Sequence, residues 1–210
     1  MPRVSQAATA ARPTSRVRAR TKTLLLDAAL RLFARQGVGA TAIHEIAAEA
    51  GVSNGTFYNY FRTRDEVVEA VSVRLAERLQ AEITASAAAV KDAAERMAIG
   101  TRRFVLQATR DPVWAAALIR VSTSRSAALT RTAGPALHDL RLGRRQGRFT
   151  HTNEVAALDL VTGTVLAGMR SVLEGRAGEE HAASIAAFVL RALGISAAEA
   201  DQLVRRPLPA

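Results

Sequence analysis

The sequence has 210 residues, a net charge of +10 and no cysteine, and its length suffices for the core of one or two domains. The lack of cysteine excludes disulfides, thiolate metal sites and a cysteine nucleophile, and it fits a reducing compartment, so we expect a cytoplasmic protein. No segment has the pattern of a signal peptide or an uninterrupted apolar span of membrane length, so we expect no membrane partner.

The first 20 residues concentrate positive charge. They are rich in Ala, Ser and Pro, show no repeating apolar face, and contain no acid beside Arg3, Arg12, Arg16, Arg18 and Arg20. We expect residues 1–20 to be a disordered basic arm. Two roles stay open for the arm: contact with the backbone or minor groove of DNA, or no specific role. The charge of the whole chain is weaker evidence, because its basic residues are almost all Arg and biased coding composition can account for that.

Residues 21–71 follow the pattern of a small helical domain. The first helix is expected to begin near Thr21 and to end at Gly37, because glycine readily takes the positive φ of a helix terminus. Its buried face is predicted to consist of Leu25, Ala28, Ala29, Leu32 and Phe33.

Two short helices joined by a tight turn are predicted between Thr41 and Phe61. Thr41 is the expected N-cap of the first helix, and Gly51 allows the sharp turn that follows it. Ser53 is the expected N-cap of the second helix. One face of the first helix is apolar at i, i+3, i+4 and i+7 spacing, through Ile43, Ile46, Ala47 and Ala50. The second helix would bury Phe57, Tyr60 and Phe61.

The outward face of the second helix carries short hydrogen-bonding side chains and one phenol. These residues are Asn54, Thr56, Tyr58 and Asn59. A capped second helix with such a face is typical of a helix-turn-helix, which presents this helix to the DNA major groove. The alternative from the pattern alone is a solvated polar face on an ordinary helical hairpin.

A connecting helix is expected after Phe61. Thr63 and Glu66 form a capping-box pattern, in which Glu66 would accept a hydrogen bond from the Thr63 backbone. Apolar residues continue from Val68 to Leu79, beyond the small domain. We therefore expect this helix to connect the two parts of the chain.

The rest of the chain is predicted to be helical, with no alternating run that indicates a strand. Breaks are expected at Asp111–Pro112, Gly134–Pro135, Gly143–Gly147 and Gly175–Gly178. Two late helices, at about residues 154–173 and 180–193, have more apolar surface than one core needs. A homodimer through these helices would cover the excess, and packing within one chain is the alternative.

No catalytic or metal constellation is evident. Glu45 and Glu49 are expected to lie on a solvated helix surface, and the four histidines lack partners at metal-ligand spacing. We therefore expect neither an enzyme nor a metal or cofactor site.

Three stretches resemble the TetR family of bacterial transcriptional regulators in order and spacing: LFARQG, TAIHEIAAEAGVSNGTFYNYF and RTRDEVVEAV. They cover about residues 21–71. The resemblance implies an all-α fold, in which a three-helix DNA-binding domain is joined by a connecting helix to a larger effector-binding and dimerisation domain, residues 72–210. It further implies a repressor that binds a palindromic double-stranded operator and is released by a small-molecule effector.

The resemblance also implies DNA contacts. The positions that match the family's contacts are Thr41, Ser53, Thr56, Tyr58, Asn59 and Arg64, and the outward face adds Asn54. We expect Thr41, Tyr58 and Arg64 to hold phosphate. Asn54, Thr56 and Asn59 are candidates for base edges. Some residues depart from those common in the family, which leaves single contacts open: Ala42, Asn59, Tyr60 and Arg64.

An effector pocket is expected among residues 85–175. The candidate apolar contacts are Phe104, Trp114, Leu118, Phe149 and Met169, and the candidate polar contacts are Arg120 and His138. Each of these can instead be plain core. The pattern favours an apolar or amphipathic small molecule. Two other functions stay open: a dimeric DNA-binding protein without an effector, and an all-α binding protein or enzyme that has lost DNA binding.

Overall fold

The computed structural model describes residues 15–123 and 127–209. It describes side chains for all of these residues except 15 and 120–132. Within these residues all regular structure is α-helical, which confirms the expected all-α fold. The helices are α1 (Ser15–Ala40), α2 (Ile43–Glu49), α3 (Asn54–Tyr58), α4 (Arg64–Ser86), α5 (Ala93–Arg110), α6 (Pro112–Thr123), α7 (Ala127–Arg145), α8 (Glu154–Leu173), α9 (His181–Ala192) and α10 (Ala197–Arg205). The chain divides into two compact units inside α4, between Val71 and Ser72.

The first helix begins earlier than expected. Residues 15–20, assigned from the sequence to a disordered arm, form the first turns of α1, so that assignment is wrong for them. Arg and Ala favour helix, and two cations near the start of α1 pack on aromatic rings. The guanidinium of Arg18 lies 5.7 Å from the Tyr60 ring centre, and the ammonium of Lys22 lies 5.8 Å from that of Phe61. Residues 1–14 lie outside the described part of the chain.

Gly37 interrupts α1 with a φ of 80°, as expected for the residue that ends the first helix. The expected cap of α2 is wrong. Thr41 is 1% exposed, and its hydroxyl donates to the Gly37 carbonyl at 2.8 Å. Ala42 is the N-cap instead, and its N–H donates to Oε2 of Glu45 at 2.7 Å. The Thr41 hydroxyl bonds the carbonyl four residues earlier because threonine side chains can bond a preceding carbonyl as an alternative to capping a helix.

The predicted cap of α3 is confirmed, and that of α4 is confirmed only in part. Ser53 caps α3 as predicted, since its Oγ accepts from the Thr56 N–H at 3.1 Å. The Thr63 hydroxyl accepts from the Glu66 N–H at 3.2 Å, as the capping box requires. The Glu66 carboxylate, however, accepts from the backbone N–H of Arg62, at 2.7 Å, and not from that of Thr63. The reciprocal bond thus falls one residue earlier than predicted.

The second unit is organised around α5. This helix contacts α6, α7, α8, α9 and α10. One hydrophobic cluster joins α5 to α7, α8, α9 and α10, and it contains Leu140, Phe149 and Leu190. Another joins α4, α5, α6 and α8 around Trp114 and Met169.

Three of the four predicted breaks are confirmed. Asp111 separates α5 from α6, and its carboxylate accepts from the Trp114 N–H at 3.0 Å. Gly147 and Gly175 have φ values of 67° in the loops after α7 and α8. The break at Gly134–Pro135 is wrong, because α7 continues through Pro135. A side chain before proline would clash with the ring in a helix, and Gly134 has none.

The helix α8 matches its predicted bounds but differs from the expectation that no segment has the length of a membrane span. Its 20 residues are long and apolar enough for one. Within the second unit α8 instead packs on α5, α6, α7 and α9. Only 22% of its most apolar 18-residue segment is buried. Much of this helix therefore presents an uncovered apolar surface.

Gly143 allows the chain to close over Phe149. A Cβ at Gly143 would lie 2.7 Å from Cγ of the buried Phe149 ring and nearer still to two other ring carbons. Gly143→Ala gains about 1 kcal/mol of helix propensity, but overpacking costs about 1–3 kcal/mol. We therefore expect a net loss of unfolding free energy in urea denaturation. Gly100→Ala is the control, because its Cβ would meet nothing within 4 Å. Equal stability of the two variants would contradict the prediction.

Candidate nucleic-acid interface and ligand cavity

The helix α3 is fixed by its cap and by one buried ring. Ser53 Oγ accepts from the Thr56 N–H and lies 3.0 Å from the Thr56 hydroxyl. Phe57 is fully buried and meets the Tyr58 ring edge-on at 5.6 Å between ring centres. The helix is short, so its orientation depends on these contacts and not on its own propensity.

The exposed face of α3 carries most of the expected reading residues. Asn54, Tyr58 and Asn59 are exposed, and the Tyr58 side chain is 54% exposed. Thr56 is half-buried, with its hydroxyl beside Ser53. This face offers amide and phenol groups that can donate and accept hydrogen bonds.

Two other expected contacts are engaged inside the first unit. The Thr41 hydroxyl is buried, so it offers no surface to a ligand. Arg64 is half-buried, and its Nη1 donates to the Gly39 carbonyl at 3.0 Å. Because guanidinium has further N–H donors, Arg64 can fix this loop and still face an anion.

Sequence analysis missed the position of the α1 cations. Arg18 and Lys22 lie over the rings of Tyr60 and Phe61, which follow α3 within three residues along the chain. Their spacing of four residues, which puts them on one side of a helix, was the available signal. Because the expected disordered arm includes Arg18, the sequence does not predict that Arg18 and Lys22 share one helix.

The acidic residues of α2 are held by internal partners. Glu49 accepts from Arg31 at 2.8 Å and from Arg35 at 3.2 Å, and these bonds lower its pKa. The Ala42 N–H and the Gln36 side chain lower the pKa of Glu45. Both carboxylates therefore link α2 to its neighbours, in line with their expected place on a helix surface.

The second unit contains a cavity of about 340 Å³. Residues of α4, α5, α6, α7 and α8 line it. Most of the wall is apolar, and it includes Ile83, Met97, Phe104, Leu118, Val161, Val165 and Met169. The volume suits one small organic molecule.

Three polar groups in this wall are nearly inaccessible from outside. Arg96 Nε donates to Oδ1 of Asp139 at 2.6 Å, and its Nη1 donates to the Ala87 carbonyl at 2.9 Å. Burial raises the pKa of Asp139, and the bond to Arg96 offsets part of this effect. Thr101 is 3% exposed, and its hydroxyl has no hydrogen-bond partner in the described part of the chain.

The predicted pocket residues are divided by the structure. Phe104, Leu118 and Met169 line the cavity. Trp114 packs behind Phe104, at 6.3 Å between ring centres, and Phe149 belongs to a different cluster. His138 is exposed, whereas its neighbour Asp139 is buried in the wall, because one helical residue turns a side chain by about 100°. The Arg120 side chain lies outside the described residues.

Trp114 connects the cavity wall to α4. Its Nε1 donates to the Ser72 carbonyl at 3.0 Å in a buried position. The same ring contacts the cluster that contains Leu118 and Met169. A molecule in the cavity would therefore touch residues that pack directly on a ring bonded to α4.

Comparison with known families gives two matches along the chain. The family described as bacterial regulatory proteins, tetR family, matches residues 25–71. The family described as tetracyclin repressor-like, C-terminal domain, matches residues 92–206.

Individual proteins resemble the chain over different lengths. The crystal structure of RolR in complex with the ligand resorcinol superposes with a TM-score of 0.78 at 30% identity, covering 94% of this chain and 99% of that chain. The uncharacterized HTH-type transcriptional regulator MT1294 of Mycobacterium tuberculosis (strain CDC 1551 / Oshkosh) is 35% identical over 92 residues, 44% of this chain. The HTH-type transcriptional repressor Rv3405c of Mycobacterium tuberculosis (strain ATCC 25618 / H37Rv) is 42% identical over 55 residues, 26% of this chain. The chain matches 46% and 29% of the length of these two curated relatives.

Proposed function

This chain belongs to the TetR family of bacterial regulatory proteins, and on that premise we propose that it is a homodimeric transcriptional repressor released from operator DNA by a small molecule. The observation that carries the proposal is the capped helix α3, which buries Phe57 and exposes Asn54, Tyr58 and Asn59. A helix held by its core side and polar on its outer side suits the major groove.

DNA contact is proposed to divide between two sets of side chains. Asn54 and Asn59 meet base edges. Tyr58, Arg64, Arg18 and Lys22 meet phosphate, since cations and phenols bind phosphate without regard to sequence. Thr41 is left out of this set because its hydroxyl is buried and bonded to Gly37. Ser53 and Thr56 are proposed to act chiefly by holding the start of α3.

The proposed dimer uses the exposed faces of α8 and α9. Val155 and Leu160 of α8 and Phe188 of α9 are large apolar side chains exposed to solvent in the single chain. Gly163 and Ala167 are also exposed on α8, and nothing lies within 4 Å of a Cβ built at Gly163. Small residues flanked by large apolar ones allow a second copy to pack closely. A twofold dimer would read a palindrome with half-sites about 34 Å apart.

The proposed effector site is the cavity beside α5. RolR, whose structure superposes on 94% of this chain, is bound to resorcinol in its crystal structure. A small hydroxylated aromatic molecule is therefore our candidate effector class here. Such a molecule would lower DNA affinity if it favoured a conformation of α4 in which the two recognition helices of the dimer are poorly spaced for DNA. The Trp114–Ser72 hydrogen bond supports α4 as the element that responds.

Tyr58→Ala and Asn54→Ala test the DNA-binding part of the proposal. Tyr58→Ala should weaken binding to all DNA sequences by about tenfold or more, because a hydrogen bond to a charged group is lost. Asn54→Ala should cost about 1–3 kcal/mol on the preferred operator only, and thus relax sequence preference. The measurement is fluorescence anisotropy on a selected operator and on unrelated DNA at several salt concentrations.

Tyr58→Phe is the matched control, because it removes only the hydroxyl and keeps the ring beside Phe57. If the hydroxyl holds phosphate, Tyr58→Phe should lose most of the affinity that Tyr58→Ala loses. Unchanged operator affinity in Tyr58→Ala would argue against the assignment of α3 as the reading helix. Absence of any sequence-specific binding by the wild-type chain would remove the proposal that it is a repressor.

A further inference from the structure

We infer that the cavity beside α5 selects an uncharged ring compound with two hydroxyl groups, one paired with Thr101 and the other with Asp139. This inference rests on the proposed effector function and specifies the chemistry of the same site. It depends on the polar groups that lie in an otherwise apolar wall.

Thr101 supplies the first requirement. Thr101 is one of the residues that line the cavity and is 3% exposed, and its buried hydroxyl has no hydrogen-bond partner among the described residues. A buried hydroxyl without a partner is unfavourable, and such groups in native proteins usually have a specific purpose. Thr162 lines the same cavity but donates to the Leu158 carbonyl at 2.8 Å. Thr101 is therefore the threonine that a ligand would satisfy.

Asp139 supplies the second requirement. Its Oδ1 accepts from Arg96 at 2.6 Å, which leaves lone pairs on Oδ2 for another donor. The raised pKa of Asp139 has burial as its main cause, so its negative charge is incompletely stabilised despite Arg96. A ligand hydroxyl that donates to Oδ2 would improve this balance. Arg96 is itself held by the Ala87 carbonyl, so the carboxylate has a fixed position.

The charge of the wall disfavours an anionic ligand. Of the described lining residues, Arg96 is the cation, whereas Asp139 and Asp159 are anions. Arg96 is already paired with Asp139, so a ligand carboxylate would enter a low-dielectric space without a free cation. An uncharged hydroxyl carries a smaller desolvation cost. Met97, Phe104, Leu118 and Met169 provide apolar surface for the faces of a ring.

Three ligands that differ by one substituent test this inference. They are 1,3-benzenediol, phenol and 3-hydroxybenzoate. The 210-residue chain carries a single tryptophan, Trp114, whose ring centre lies 6.3 Å from that of the cavity residue Phe104. Its fluorescence can follow each titration, and calorimetry gives an independent dissociation constant. We expect the diol to bind at least tenfold more tightly than either of the other compounds.

The variants Thr101→Val and Thr162→Val identify the hydroxyl that is used. Thr101→Val should reduce the preference for the diol over phenol by about tenfold, because only the diol can use both polar groups. Thr162→Val is the matched control, since the same substitution in the same wall removes a hydroxyl that is already bonded. It should leave the preference unchanged. Equal effects of the two variants, or equally tight binding of 3-hydroxybenzoate, would overturn the inference.

Operator binding measured on the same preparations separates the two proposals. If the protein binds operator but none of the three compounds, the proposed ligand class is wrong and the proposal that the protein is a DNA-binding regulator stands. If the diol binds with the expected preference but does not release DNA, the ligand class stands and the effector role fails. Thermal unfolding of both threonine variants should match the wild type, and a large loss in Thr101→Val would indicate a structural role for this hydroxyl and overturn its assignment to the ligand.

Discussion

Phe188→Glu should convert the dimer into a monomer and lower operator affinity by about 10²–10⁴-fold. Phe188 lies on α9 with 58% of its side chain exposed in the single chain, and Val155 on α8 is 68% exposed. The second copy would desolvate the glutamate charge, and the neighbouring Arg191 can offset little of the cost because it already pairs with Asp201. DNA affinity falls because two linked DNA-binding domains bind far more tightly than one. Light scattering after size exclusion measures the mass, and anisotropy measures DNA binding.

Val113→Glu is the control for this experiment. Val113 is 55% exposed on α6 and lies outside the proposed interface. It should remain dimeric with unchanged operator affinity, although it also replaces an exposed apolar side chain by glutamate. A Phe188→Glu protein that stays dimeric at micromolar concentration would refute the α8–α9 interface. A wild-type monomer would refute the dimer itself.

Phe57→Ala should unfold the unit that ends at Val71 while the second unit stays folded. Phe57 is fully buried and contacts both Tyr58 and Phe61 through its ring. Truncation of a buried Phe typically costs about 3–5 kcal/mol, which approaches the total stability of a small domain. Hydrogen exchange followed by mass spectrometry should show loss of protection in residues 25–71 and retained protection in α5 to α10.

Tyr58→Ala is the neighbouring control for stability. Tyr58 is largely exposed, so its truncation should lower the unfolding free energy by only about 1 kcal/mol, chiefly through the lost edge-on contact with Phe57. The two adjacent aromatic residues thus separate folding from DNA binding. Protection of residues 25–71 that survives in Phe57→Ala would show that other side chains hold α3.

The N-terminal unit could be predicted closely where local chemistry decides the backbone. Ser53 caps α3, and Gly37 and Gly51 take positive φ, because these effects depend on neighbours within a few residues. Thr41 and Glu66 were assigned to the wrong partners. Each side chain bonds a backbone group other than the one that its capping motif predicts.

The cavity could be predicted only in part. Phe104, Leu118 and Met169 stood out as large apolar residues, and they line it. Arg96, Thr101 and Asp139 did not stand out, since a polar residue on a helix is usually solvated and nothing local marks it as buried. Arg96 and Asp139 are 43 positions apart, and only the packing of α5 against α7 brings them to 2.6 Å.

The all-α fold, the helix-turn-helix and the apolar excess of α8 and α9 can be predicted from the amino-acid order, because periodicity, caps and glycines act over a few residues along the chain. Which polar groups are buried without a partner, and therefore what the cavity can bind, depends on how the helices pack. Burial is a property of several helices together. No single segment of this chain specifies that the Thr101 hydroxyl is buried without a partner in the described part of the chain, whereas that of Thr162 is bonded.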